Sequence, residues 1–379
     1  MNSKVLIIGG GVIGLSLARE LHKKGAGRIT IVDRGPIGRE ASWAAAGMLA
    51  PNIETDTSDD FHRFGIESLE LYPGFAEALL EETGVDIELE RSGTLRLAFN
   101  ESEAAEVDET YQQQILRRVT VEHLSGASVR SIEPSISPAA CGALLYPNDW
   151  QVENRKLISA LRRYAEVNGI KIVEDTEVWE LLTRGRRIIG GKTSVGEISA
   201  DTTVLATGAW TSLIKIGDAC LQVSVKPIRG QMISFEASEP LLRHVVYSPR
   251  GYVVPRADGR VLVGATVEDT GFDKSTTAEG INSLKDAAVE IAPQLSGFEI
   301  GETWAGLRPF AADGLPILGE LPGYENVFVA TAHYRNGILL APKTAEIMAD
   351  RIAGGLNSKY LDLYGVGRFA SAANATAFS

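Results

Sequence analysis

The start of the chain alternates short apolar runs with an amphipathic stretch. KVLII at 4–8 is typical of a buried strand, and GGGVIG follows it as a turn. Residues 12–24 repeat apolar side chains at helical spacing, and ITIVD at 29–33 forms a second apolar run. Period and run length therefore predict a strand, a helix and a second strand, a βαβ unit that opens the chain.

Further along, helical and strand patterns alternate less regularly. Apolar periodicity predicts helices at 59–83, 101–118, 153–168, 277–291 and 337–353. Short apolar or alternating runs predict strands at 93–100, 170–173, 177–182, 187–192, 204–206 and 326–330, and a strand-rich stretch at 223–265. Segments typical of nucleotide-binding folds thus lie at the start, in the middle and near the end, separated by two strand-rich insertions.

The glycine-rich turn is the first motif in the sequence that indicates a bound ligand. Gly9, Gly11 and Gly14 supply G-x-G-x-x-G between a strand and a helix, and Asp33 closes the next strand. Such glycines allow close approach of a pyrophosphate to a helix N-terminus, and the acid can accept from a ribose hydroxyl. In this context we predict an adenine dinucleotide. The motif leaves FAD and NAD open.

Two further stretches of small residues could contact the same ligand. In residues 40–48 (EASWAAAGM), Ser42 can donate to a phosphate oxygen and the alanines let the backbone approach a flat ring. A small-residue helix packed on a sheet is an equally good interpretation. ATGAW at 206–210 places a glycine turn, with Gly208, at a strand end, and Trp210 is expected in the core.

Two arginines stand in segments that favour substrate binding. Arg308 lies between apolar residues and a proline in WAGLRP, where its guanidinium could hold a carboxylate bidentately. The alternative is a structural arginine paired with Asp313. Arg335 lies in HYRNGILLAP at 333–342, which follows a strand and begins a helix whose N-terminus would stabilise negative charge. An ordinary polar loop that caps the helix would have the same pattern.

Composition excludes several classes of protein. The 379 residues carry a net charge of −12 with no basic run, which argues against nucleic acid and anionic membranes as partners. Two cysteines and five scattered histidines predict no metal site and a reducing compartment. The apolar start imitates a signal peptide, but its glycines fit a nucleotide turn better, so we expect a cytoplasmic protein.

Taken together, GGGVIG, EASWAAAGMLAP, ATGAW, GLRPxxxDGxPxxG and HYRNGILLAP resemble, in this order and spacing, the glycine oxidase branch of the D-amino-acid oxidase family of FAD-dependent oxidoreductases. The resemblance covers residues 4 to about 355. It implies non-covalent FAD, since no cysteine matches the covalent tether of sarcosine oxidases. It also implies a homotetramer that serves thiamine biosynthesis.

The resemblance also assigns roles to residues. It implies that Arg308 clamps the substrate carboxylate, with Tyr252 and Arg335 beside it, although a tyrosine in a strand is by default a packing residue. One departure is Ala332, where relatives usually carry glycine, which leaves the pocket size open. For FAD, the residues implied by the motifs or the resemblance are Gly9, Gly11, Val12, Ile13, Gly14, Asp33, Arg34, Ala41, Ser42, Ala46, Gly47, Met48, Val178, Gly208, His333, Tyr334, Arg335, Asn336, Gly337, Ile338 and Leu339.

The expected fold is α/β, with α+β character, in two interleaved parts. A Rossmann-like, glutathione-reductase-type FAD domain takes residues 1–85, 145–220 and 305–365, and a strand-rich substrate domain takes 86–144 and 221–304. Residues 366–379 are expected to be a disordered tail.

The expected reaction is oxidation of glycine, sarcosine or small D-amino acids such as D-alanine. Hydride would pass to the flavin, the imine would hydrolyse to an oxo acid and ammonia, and dioxygen would become hydrogen peroxide. Three alternatives stay open: a D-amino-acid dehydrogenase that reduces a quinone, a non-catalytic flavin-binding redox module, and an NAD-dependent dehydrogenase.

Overall fold

A computed structural model describes residues 3–54 and 59–369. The strands are β1 (Lys4–Ile8), β2 (Arg28–Val32), β3 (Met48–Leu49), β4 (Thr94–Ala98), β5 (Glu122–Ser125), β6 (Gly142–Tyr146), β7 (Trp150–Gln151), β8 (Lys171–Val173), β9 (Val178–Arg184), β10 (Arg187–Thr193), β11 (Gly196–Ser199), β12 (Thr202–Leu205), β13 (Lys215–Ile216), β14 (Ala219–Cys220), β15 (Val225–Glu236), β16 (Val245–Ser248), β17 (Gly251–Pro255), β18 (Arg260–Gly264), β19 (Ile300–Ala311), β20 (Ile317–Glu320) and β21 (Val327–Thr331).

Ten helices lie between these strands in the described residues. They are α1 (Val12–Lys23), α2 (Ala41–Ala44), α3 (Pro51–Glu54), α4 (Asp59–Thr83), α5 (Glu101–Leu116), α6 (Gly126–Ile132), α7 (Asn154–Val167), α8 (Ala278–Ile291), α9 (Gly337–Gly354) and α10 (Lys359–Leu363). The long helical patterns in the sequence coincide with these helices, with boundaries that move by one or two residues. Short 3₁₀ turns occupy Gly208–Leu213, Pro293–Gly297 and Val366–Phe369.

The first layer is a six-stranded sheet in the order β20-β21-β12-β1-β2-β8. All neighbours in it are parallel except β20 and β21. Helices α1, α4, α7 and α9 pack together on one face around a large apolar core. On the other face, Leu6, Ile8 and Val32 pack against Val178 and Leu181 of a five-stranded sheet. Because parallel strands are buried on both faces, β1 and β21 are almost wholly apolar.

The second body is an eight-stranded sheet in the order β19-β15-β18-β17-β16-β4-β6-β5. Its long strands β15 and β19 run antiparallel, and their register places Ile228 opposite Arg308 and Gly230 opposite Gly306. Helices α6 and α8 cover its outer face through a separate apolar core. The mixed α/β fold predicted from the sequence is confirmed.

Strand β19 runs across one of the predicted domain boundaries. The FAD segment was expected to begin again at 305, but β19 continues unbroken to Ala311 and pairs with β15 along its length. Arg308 therefore belongs to the eight-stranded sheet. Burial of Val225 and Ala311 at the far end of this pair keeps the ladder intact past the expected break.

The last described residues cover the start of the predicted tail. Val366–Phe369 forms a 3₁₀ turn, and Val366 is buried against the sheet core. Residues 370–379 lie outside the described residues. Within the described part of the chain, no helix is both long and apolar enough to cross a membrane.

Candidate active site

Two adjoining cavities lie where the sheets meet. The larger contains about 1190 Å³ of atom-free space, including the part open to solvent, at the carboxyl ends of β1, β2, β12 and β21. The smaller contains about 720 Å³, measured in the same way, and is walled partly by β15, β17 and β19. Ala41, Ala45, Tyr334, Arg335 and Ile338 line both, so the two spaces are continuous.

Most residues predicted to contact FAD line these cavities. Those on the larger cavity are Gly9, Gly11, Val12, Ile13, Asp33, Arg34, Ala41, Ser42, Val178, Gly208, His333, Tyr334, Arg335, Gly337 and Ile338. Ala46, Gly47, Met48 and Asn336 line the smaller one. Gly14 and Leu339 line neither. Leu339 is buried in the helical core, and its carbonyl accepts from Ser68.

The glycine turn is shaped by close backbone contacts. Gly9 has φ +104°, and a Cβ there would lie 2.3 Å from the Ala206 oxygen. A Cβ on Gly14 would lie 2.0 Å from the Gly9 oxygen, so this glycine lets α1 pack on the turn. The Val12 amide donates to Ser42 Oγ over 2.9 Å. The Ser42 hydroxyl hydrogen is therefore available to a phosphate placed at the N-terminus of α1.

Asp33 is fixed at the end of β2. Its carboxylate accepts from the backbone amides of Gly10 (2.7 Å) and Gly35 (3.0 Å). Burial raises its pKa above the ordinary value, although the two amide donors oppose that shift. A carboxylate has about four acceptor positions, so these bonds leave room for a ribose hydroxyl.

Trp210 is a wall of the larger cavity, which corrects the expectation that it is a core residue. It is half-buried, and the Arg34 guanidinium stacks 4.6 Å from its ring centroid. Phe272 contacts the other side of the ring at 5.6 Å. The turn at Gly208–Leu213 holds the ring outward, which a strand-exit pattern alone could not indicate.

Arg308 points into the smaller cavity. Its Nη1 donates to the Thr266 carbonyl over 3.0 Å, and no carboxylate among the described residues lies within 4 Å of it. The alternative partner, Asp313, is instead paired with Arg368 at 2.7 Å. The interpretation of Arg308 as one half of an Arg308–Asp313 pair is therefore wrong.

Tyr252 and Arg335 lie on the same cavity but have different surroundings. Tyr252 is buried, and burial raises its pKa, so its hydroxyl is neutral. Arg335 pairs with Glu54 through two contacts, Nε to Oε2 at 2.8 Å and Nη2 to Oε1 at 2.9 Å. The Tyr247 hydroxyl also donates to Glu54.

The loop before α9 has two residues in the left-handed region. Ala332 has φ +60° and Tyr334 has φ +48°. His333 is buried and bonds Thr344 Oγ1 through Nε2 over 3.1 Å; burial lowers its pKa to about 3, so its ring is neutral. Ala332 adopts the conformation that glycine would favour, so the loop keeps its shape with some backbone strain.

Comparison with known proteins identifies the family to which the chain belongs. Residues 4–351 match the family model described as FAD dependent oxidoreductase, DAO, and the chain belongs to this family. The chain is 35% identical to a glycine oxidase of Pseudomonas aeruginosa, over 93% of this chain and 96% of that protein. The crystal structure of glycine oxidase from Geobacillus kaustophilus is similar, with a TM-score of 0.90 at 34% identity, over 97% of this chain and 99% of that one.

A further relative contains a second protein in one polypeptide. The bifunctional protein ThiO/ThiG of Trichormus variabilis is 35% identical over 99% of this chain, which spans 56% of that protein.

FAD, the cofactor of this family, fits the residues present. The larger cavity offers the glycine turn, the N-terminus of α1 and the Ser42 hydroxyl to a pyrophosphate. The small side chains of 44–46 and the N-terminus of α9 flank the junction with the smaller cavity. The exposed thiols of Cys141 and Cys220 line neither cavity.

Several cavity residues had no distinctive sequence signal. They include Glu54, Thr176, Trp179, Gly230 and Met232. Glu54 follows the small-residue stretch by only a few positions, and that proximity to residues 40–48 is the one cue that could have identified it. Gly230 and Met232 reach the cavity through the pairing of β15 with β19, which only the fold reveals.

Proposed function

We propose that the protein is a glycine oxidase, which oxidises glycine and other small amines or amino acids such as sarcosine and D-alanine. The observation that carries this proposal is Arg308, a guanidinium with no carboxylate partner among the described residues, in a small cavity continuous with the FAD site. The similarity to glycine oxidases supports the same substrate class.

In this proposal the chain's residues orient the amino acid. Arg308 binds the carboxylate through two parallel hydrogen bonds, and the neutral Tyr252 hydroxyl donates beside it. The wall opposite consists of small residues: a Cβ on Gly306 would lie 2.5 Å from the Ala44 side chain. A carboxylate fixed on one side and a tight wall on the other place the α-carbon toward the FAD cavity.

Bound FAD supplies the hydride acceptor and passes the electrons to dioxygen, giving hydrogen peroxide. The amino acid is left as an imine, which water hydrolyses to glyoxylate and ammonia when glycine is the substrate. Among the described residues that line the two cavities, the one histidine is His333, and burial lowers its pKa to about 3, so it is a poor base at neutral pH. Orientation and electrostatics therefore carry the reaction, and the substrate must enter with a neutral amine.

The fused ThiO/ThiG relative supports a place in thiamine biosynthesis. The family resemblance also favours a homotetramer in the cytoplasm, and we include both in the proposal.

The test is the flavin absorption spectrum under anaerobic glycine. We expect glycine to bleach the flavin bands and air to restore them with one peroxide per glycine. Arg308→Ala should lower kcat/KM for glycine by a factor on the order of 10² to 10³, mostly through KM, because a carboxylate contact worth about 3–4 kcal/mol is lost.

Other outcomes of the flavin experiment would indicate a different function. Bleaching that is reversed by a quinone or dye but not by air would identify a dehydrogenase. A flavin that glycine, sarcosine and D-alanine all fail to bleach would overturn the proposal. Arg187→Ala, an exposed arginine far from both cavities, is the matched control and should leave kcat/KM unchanged.

A further inference from the structure

Two arginines line the smaller cavity. Arg335 is paired with a carboxylate, whereas Arg308 is not paired with one among the described residues. Arg308 donates to the Arg229 and Thr266 carbonyls and contacts the Tyr252 hydroxyl, but it pairs with no carboxylate among the described residues. Arg335 is held by both oxygens of Glu54, at 2.8 and 2.9 Å. The Glu54 side chain is 10% exposed and that of Arg335 is 35% exposed, so solvent screens the pair only in part. The cavity therefore carries one uncompensated positive charge.

Glu54 is held firmly in this position. It ends the short helix α3, whose Asn52 and Ile53 amides both donate to Asp149 at 3.1 Å. The Tyr247 hydroxyl, from strand β16, also donates to the Glu54 carboxylate. Because burial raises the pKa of Tyr247 well above its ordinary range, that hydroxyl remains a donor at all working pH values. The anchored helix α3, the Tyr247 hydroxyl and the Arg335 guanidinium thus fix the position of the Glu54 carboxylate.

We infer that Glu54 determines the charge of the substrate: by neutralising Arg335 it leaves Arg308 as the single site for an anionic group. The cavity then accepts amines with one carboxylate and discriminates against amines that carry a second anionic group. This inference rests on the proposed function, and it gives Arg335 a different role from the carboxylate clamp that the family resemblance implied.

The physical basis is the cost of an unmatched charge. A second carboxylate in this cavity would meet the paired Arg335 and the full negative charge of Glu54. Displacing Glu54 would leave a poorly hydrated carboxylate without its cation, which is strongly unfavourable. A substrate with one carboxylate disturbs none of these contacts. Discrimination therefore arises from repulsion as well as from attraction.

The first experiment compares two secondary amines of similar size, iminodiacetate and N-ethylglycine. Wild-type protein should have the lower kcat/KM for iminodiacetate. Glu54→Gln keeps a hydrogen-bond acceptor for Tyr247 and Arg335 but removes the charge. It should raise the iminodiacetate to N-ethylglycine ratio of kcat/KM by about tenfold or more, as expected for removing one close repulsive charge. Glu320→Gln, from a surface pair with Arg351, is the matched control.

A double-mutant cycle tests whether Arg335 serves to neutralise Glu54 or binds the substrate carboxylate directly. Arg335→Gln should lower kcat/KM for glycine about tenfold, because Glu54 is then unpaired beside the substrate carboxylate. The double variant Glu54→Gln with Arg335→Gln should recover to within about threefold of wild type. A double variant as impaired as Arg335→Gln alone, or an unchanged ratio in Glu54→Gln, would overturn the inference.

The design distinguishes this inference from the proposed function. Glycine oxidation by wild-type protein tests the function, whereas the substrate ratio and the cycle test the role of Glu54. Should Glu54→Gln fail to retain FAD, wild-type protein titrated with acetate and malonate, followed by the flavin spectrum, gives the answer. Weaker binding of malonate supports the inference, and equal or tighter binding overturns it.

Discussion

At the scale of single residues, neighbours decide the chemistry of each cavity side chain. Arg308 and Arg335 line the same cavity, yet Arg308 has no carboxylate partner among the described residues, whereas Arg335 holds the Glu54 carboxylate through two contacts. The position of Arg308 depends in turn on Gly230, directly beneath it on β15. A Cβ at Gly230 would lie 2.2 Å from Arg308 Nη2.

Gly230→Ala should therefore act on substrate binding. The added methyl must push the Arg308 guanidinium out of line, so we expect the KM for glycine to rise about tenfold with a smaller change in kcat. Steady-state kinetics with peroxide detection measures both. In the control Gly301→Ala, on β19, the methyl meets the side chain of Glu236, which lines neither cavity. Equal kinetic effects of the two variants would contradict this role for Gly230.

At the scale of elements, helix α3 depends on one buried acid. Asp149 is fully buried and accepts from the Asn52 amide, the Asn52 side chain and the Ile53 amide. Burial raises its pKa to about 7 despite these donors. The helix that carries Glu54 is thus anchored on a group that titrates near neutral pH.

The stability of the fold should record this titration. The pKa of Asp149 is higher in the folded than in the unfolded protein, so the folded state binds the proton more tightly. Its favourable contribution is complete below pH 3.8 and is lost as pH rises through about 7. Between these values the difference in unfolding free energy between wild type and Asp149→Asn should change by up to about 1.4 kcal/mol per pH unit.

Urea unfolding of the two proteins at pH 5, 6, 7 and 8 measures that difference. Wild type should be favoured most at pH 5 and least at pH 8. Asp86→Asn, which changes an exposed aspartate, is the control and should give a flat difference. A flat difference for Asp149→Asn as well would show that its titration is not coupled to folding.

At the scale of the whole molecule, Arg256 joins the two bodies. It follows β17 of the eight-stranded sheet, is buried, and donates to the Ala46 carbonyl (2.8 Å), the Val152 carbonyl (3.0 Å) and the Gln151 side chain (3.1 Å). Gly47, in the loop it holds, has φ +71°, and a Cβ there would lie 2.0 Å from the Val152 oxygen. One guanidinium thus ties the loop of 46–48 to both bodies.

Arg256→Lys should loosen this junction, because an ammonium group cannot reach all of these acceptors at once. We expect the free energy of unfolding to fall by about 2–4 kcal/mol and FAD to dissociate faster, since buried acceptors are left without donors. Thermal unfolding and the rate of FAD release to an apoprotein acceptor are the measurements. Exposed Arg28→Lys is the control. An unchanged rate of FAD release would show that the contacts of Arg256 with the loop of 46–48 do not help to hold the cofactor.

The sequence predicts local features and misses those created by pairing of distant strands. The βαβ unit and the helix at 337–353 follow from local periodicity, and the structure has them almost unchanged. Glu54, Gly230 and Met232 reach the site only because α3, β15 and β19 converge there. The extent of β19 across residue 305 is equally invisible to local periodicity, since its continuation depends on pairing with β15, which lies far earlier in the chain. The roles assigned to individual site residues stay predictions.

The order of strands in the six-stranded sheet also has a consequence for biosynthesis. Strand β1 pairs on one side with β12, and β12 pairs with β21, so β1 belongs to a sheet that also needs strands made about 200 and 320 residues later. The cavity for FAD needs residues from Ile8 to Ile338. A nascent chain on the ribosome therefore lacks this cavity until residue 338 has emerged. Loading with FAD must then wait for residue 338, and until that point the early apolar strands are exposed to aggregation or to chaperones.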